Sequence, residues 1–84
     1  MSLRTYVIAA EPGRPPTFRL MGPDGVPRVA VPADCVPPEV SRHAAWLSAL
    51  ADGRPLPAGD PPPAVFAPTP PERAFIAVVT TDGA

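Results

Sequence analysis

One stretch of this 84-residue chain carries clear helical periodicity, Pro37–Gly53 (PPEVSRHAAWLSALADG), and it holds the only Trp and the only His. Two prolines open it, and proline suits a first helical turn because its missing N–H would have no intrahelical partner there. Glu39 follows at the positive end of the helix dipole. Gly53 suits the left-handed position just past the end, and Pro55 blocks continuation. At about 100° per residue, Val40, His43, Ala44, Trp46, Leu47, Leu50 and Ala51 fall within an arc of roughly 160°. Ser41, Arg42, Ala45, Ser48, Ala49 and Asp52 take the other side. A lone helix of about four turns is marginal in water. Its apolar face therefore requires a sheet or a partner to cover.

The rest of the chain supplies strands. Leu3–Ala10 is rich in aromatic and β-branched residues and reads as a strand. Glu11–Pro16 is a loop by its Pro/Gly chemistry. Thr17–Met21 forms a second short strand, and Gly22-Pro23-Asp24-Gly25 has the residues of a tight turn. Val26–Val31 returns as the third strand of a hairpin, and Pro27, with no N–H to donate, places it at a sheet edge. Asp34 is the better candidate, ahead of Cys35, to accept from the first helical amides. Ala74–Thr80 (AFIAVVT) is apolar on both faces and reads as a central strand with one face against the helix. The order β-β-β-α-β predicts an α+β domain: a small antiparallel sheet of about four strands covered by one helix. Between the helix and the last strand, residues 54–72 read as an extended polyproline-like arm. Eight of the 16 prolines lie in Pro55–Pro71. Val65 and Phe66 interrupt that arm as an apolar pair with the character of an anchor.

Size and charge restrict the function. A chain this short forms one domain and buries only about 60–65% of its unfolded surface. Its formal charge of −1 argues against a nucleic-acid binder with a basic footprint. A single Cys allows no intrachain disulfide and no zinc cluster by itself, which favours a reducing compartment. No run approaches the roughly 18 apolar residues of a membrane span, and MSLRTYVIAAEPG is too weakly charged and too briefly apolar for a signal peptide. The expected location is the cytoplasm.

Asp34, Cys35 and His43 raise the thought of nucleophilic catalysis, since a Cys before a helix can be acidified. Two prolines intervene, and His43 lies roughly 9–12 Å farther along by helical rise, whereas a hydrogen-bonded pair needs about 3 Å. The structural reading of all three is preferred, with no enzymatic activity, metal or cofactor expected. A pH-responsive role for His43 is the lesser alternative to a residue bonded to a carbonyl or to water. The two PxxP matches, Pro12–Pro15 and Pro68–Pro71, are expected by chance among so many prolines. Trp46 is either core or a partner anchor. The residues expected to contact a partner are Val65 and Phe66, Arg28 at the strand edge beside Pro27, and Trp46 where its flank stays open.

From Asp24 to Asp60 the order of residues resembles small phage and prophage proteins of the tail-fibre-assembly type. The elements that carry the resemblance are Asp24-Gly25, Val31-Pro32-Ala33-Asp34, Trp46-Leu47, and the exit with Gly53, Pro55, Pro57 and Asp60. The Asn that such proteins place soon after the Asp is absent, and the exit Gly comes several residues late. The resemblance implies origin in a mobile element. The expectation is a non-enzymatic protein that works by binding another protein, most concretely an inhibitor of a host defence complex of the anti-CRISPR type. The alternative is a tail-fibre-assembly or virion accessory protein, and a small Cys-dependent enzyme comes third. A second copy of the chain is also an expected partner, since an 84-residue core has reason to recruit one; nucleic acid and membrane are not.

Overall fold

In the computed structural model, which describes residues 3–59, 61–69 and 74–82, one helix lies on a five-stranded antiparallel sheet. The elements are β1 (Leu3–Ala10), β2 (Thr17–Met21), β3 (Pro27–Val31), a short 3-10 turn (Ala33–Cys35), α1 (Pro38–Asp52), β4 (Ala64–Thr69) and β5 (Ala74–Asp82). Their order in the sheet is β3-β2-β1-β5-β4. The α+β class is as the sequence predicts, with one strand more.

β1 sits at the centre and pairs along its whole length with β5, Leu3 opposite Asp82 through Ala10 opposite Phe75. On its other side Tyr6 faces Leu20 and Ile8 faces Phe18. Alternation then decides the core. Tyr6, Ile8 and Ala10 of β1, Phe18 of β2, and Ala77 and Val79 of β5 point to the helix and are buried with Val40, Ala44 and Leu47 of α1. The β2–β3 turn forms as expected: the Gly25 N–H donates to the Gly22 carbonyl at 3.0 Å. Gly25 takes φ 78°, which only a residue without a Cβ adopts at no cost. β3 lies at the sheet edge, where Pro27 leaves no central ladder bond unmade.

Three expectations need correction. The stretch after the helix is not a free arm throughout: Ala64–Thr69 is β4, paired with β5 through Ala64–Val78, Val65–Ala77 and Phe66–Ile76. Polyproline and β backbones lie close in φ/ψ, and the outer edge of β5 offers amides that Val65 and Phe66 can pair. The register shifts between Phe66 and Thr69, where Pro68 has no N–H to contribute. Second, Asp34 does not cap α1. It sits in the 3-10 turn closed by the Cys35 N–H to the Pro32 carbonyl, and the helix begins behind Pro37 with no side-chain cap. Third, the buried helix face is rotated from the expected arc. Ser48 and Ala49 are buried, whereas His43 and Trp46 are half-buried. Gly53, at φ 69°, and Arg54 both bond the Ala49 carbonyl, so the exit chain closes back over this end of the helix.

Candidate functional site

Beyond Gly53 the proline-rich segment turns back along the outer flank of α1. Glu39, Arg42, His43 and Trp46 on the helix face Pro57 and Pro61 across an open groove of about 440 Å³. Gly59 makes the bend at φ 124°, a conformation that a side chain would obstruct. Pro62 is buried and holds the segment to the fold. The chemistry of the groove follows from its walls. Proline rings and the Trp46 indole form an apolar platform with a single N–H donor, and Glu39 and Arg42 set opposite charges on its exposed rim. A surface of this kind takes an apolar side chain or a short extended peptide segment.

The four residues singled out for partner contact do not come together. Val65 and Phe66 lie on β4 with opposite facing: Val65 shares the helix side with Ala77, and Phe66, 55% exposed, shares the other side with Ile76. Arg28 is on β3, the opposite edge of the sheet. Its guanidinium bonds Asp24 in the β2–β3 turn, and that bond chiefly holds the Asp24 carboxyl below its ordinary range. Trp46 alone lines the groove.

A surface that sequence reasoning did not single out is the sheet face away from α1. Val7 opposes Val78 and Ala9 opposes Ile76 across β1 and β5, and β4 adds Ala64 and Phe66. Val7, Ala9, Ala64, Ile76 and Val78 are half-buried by their neighbours in the sheet, and none belongs to the core cluster. The Thr5 and Thr80 hydroxyls share one hydrogen bond at 3.0 Å on this face. The signal was present in Leu3–Ala10 and Ala74–Thr80, both apolar on two faces while only one helix was in prospect.

Cys35 is exposed in the 3-10 turn, and His43 stands in the groove wall. Among the described residues no group of three or more His, Cys, Asp and Glu side chains gathers into a metal-binding arrangement. No described helix is long and apolar enough to cross a membrane. Of the Pro68–Pro71 match, Pro70 and Pro71 lie outside the described residues, as does Asp60. Comparison with protein-family models, with curated proteins and with solved structures produced no match.

Proposed function

We propose that this chain is a non-catalytic binding protein of phage or prophage origin that captures a partner protein in the groove between α1 and the proline-rich segment. The observation that carries the reading is Trp46: a half-buried indole with an open flank, set against prolines and rimmed by opposite charges. Buried aromatic anchors with a polar rim dominate protein–protein binding energies. In its most concrete form the partner is a host defence complex in the cytoplasm, and the protein acts as an inhibitor of the anti-CRISPR type. That form draws on the small size and on the resemblance of residues 24–60 to phage proteins.

The test is co-purification of tagged protein with the host's CRISPR effector complexes, alongside rescue of phage infection. The wild type is expected to be retained and to rescue. Trp46→Ala is expected to bind at least about 30-fold more weakly, the loss typical of a hot-spot aromatic, with its circular-dichroism melt still cooperative. Absence of both binding and rescue by the wild type overturns the inhibitor. The resemblance itself favours a second reading, tail-fibre assembly, and co-sedimentation with assembling virions distinguishes it.

A further inference from the structure

Among the described residues the sheet carries its helix on one side only, and its other side is built like the inner face of a β-sandwich. We propose that this face is the interface of a homodimer, in which two copies stack sheet on sheet to give a four-layer α/β/β/α molecule. The inference goes beyond the groove, which lies on the helix side and stays outward on both copies.

Four observations favour a second copy of the chain as the occupant. First, an antiparallel sheet with one solvated face normally alternates apolar with polar residues. Here the solvent side of β1, β5 and β4 instead presents Val7, Ala9, Ile76, Val78, Ala64 and Phe66. Second, between the Thr5–Thr80 and Ala9–Ile76 pairs these strands carry no charged residue on that side, and Asp82, opposite Leu3, falls at the end of β5, so a copy of the same face meets no like-charge repulsion at its centre. Such a self-complementary patch is what a two-fold interface requires. Arg19, opposite Val7 on β2, is exposed and long enough to turn its head to the rim while its stem stays on the face.

Third, the area suffices. Five strands at about 4.8 Å spacing and about 3.4 Å per residue make a face on the order of 500 Å² in projection. Two copies together then bury on the order of 1,000 Å², about the threshold that a specific, weaker interface has to clear. Val7, Ala9, Ile76 and Val78 of the inner strands β1 and β5 form its apolar centre, Ala64 and Phe66 extend it to the β4 edge, and Thr17 and Arg19 of β2 supply its polar part on the other side. Fourth, a chain of this size builds only one small core, and a second core shared between copies is a common way for a small fold to gain stability.

Sedimentation equilibrium of the full chain from about 1 µM to about 500 µM decides it, a span that covers weak and moderate dimers. The wild type is expected to rise from 8.7 kDa to twice that mass. Val78→Lys places a charge at the centre of the face and is expected to raise the dimer dissociation constant by about 100-fold or more. Thr80→Lys, at an exposed position outside the core, is the variant that folds even if the first does not, and it too is expected to be monomeric at concentrations where the wild type is dimeric. Val29→Lys, exposed on the helix side, and Trp46→Ala should dimerise as the wild type does, which separates this proposal from the groove. A wild type that stays at the monomer mass throughout, or a Thr80→Lys protein that dimerises undiminished, overturns it; in either case the face belongs to a different occupant or to none.

Discussion

At Asp52 a single carboxylate joins two parts of the chain that sequence reading kept apart. It accepts from the Gly13 N–H in the β1–β2 loop at 2.8 Å and from the Arg54 side chain at 3.2 Å. These bonds, the Gly13 amide first, hold its carboxyl below the ordinary value of 3.8. A carboxyl acidified by folding stabilises the native state above its unfolded pKa, and that contribution disappears as pH falls through the lowered folded value. Asp52→Asn is therefore expected to lower the melting temperature at pH 7, and the gap to wild type should shrink as pH drops below 3.8. Thermal melts across pH measure this, and a gap independent of pH would refute the tie. Local features such as the Asp24–Gly25 turn were legible because their partners lie within four residues. The Asp52–Gly13 bond spans 39 positions and depends on where the helix end meets the sheet, which no local pattern encodes.

Among the elements, α1 is the clamp on the sheet rather than a free docking helix. Leu47 is fully buried between α1 and the two central strands, beside Ile8, Val40 and Val79. Leu47→Ala is expected to cost about 2–5 kcal/mol, a large part of the roughly 5–15 kcal/mol that holds a domain of ordinary stability together. Urea denaturation checks this, with Leu50→Ala, at a half-buried position, expected to cost less. Equal costs would mean that the helix is seated on a different face. The limits of β1, β2 and the helix were legible because alternation and capping chemistry are local. β4 was not, because proline composition around Val65 and Phe66 outweighed their strand preference. The free edge of β5 that recruits them exists only after the sheet has formed. Rotation of the helix face toward Ser48 and Ala49 has a similar origin, in contact with a twisted sheet and in chain closing over the helix exit.

For the whole molecule, the decisive fact is an imbalance between one helix and a sheet with two apolar faces. The α+β class followed from the pattern, but the strand order did not, since insertion of β5 between β1 and β4 is a non-local pairing. The candidate site was legible only in part. Trp46 was named from its residue type, while the groove beside it needs the returning prolines, and the open sheet face needs the register. In the proposed dimer the two Trp46 grooves would face outward on opposite sides, leaving each copy free to engage the proposed partner. The most direct measurement is an isotope-filtered NMR experiment on a mixture of labelled and unlabelled chains. The account predicts contacts between chains among the methyl groups of Val7, Ile76 and Val78 and the ring of Phe66. Contacts between chains confined to Val29 or other residues on the helix side would contradict it.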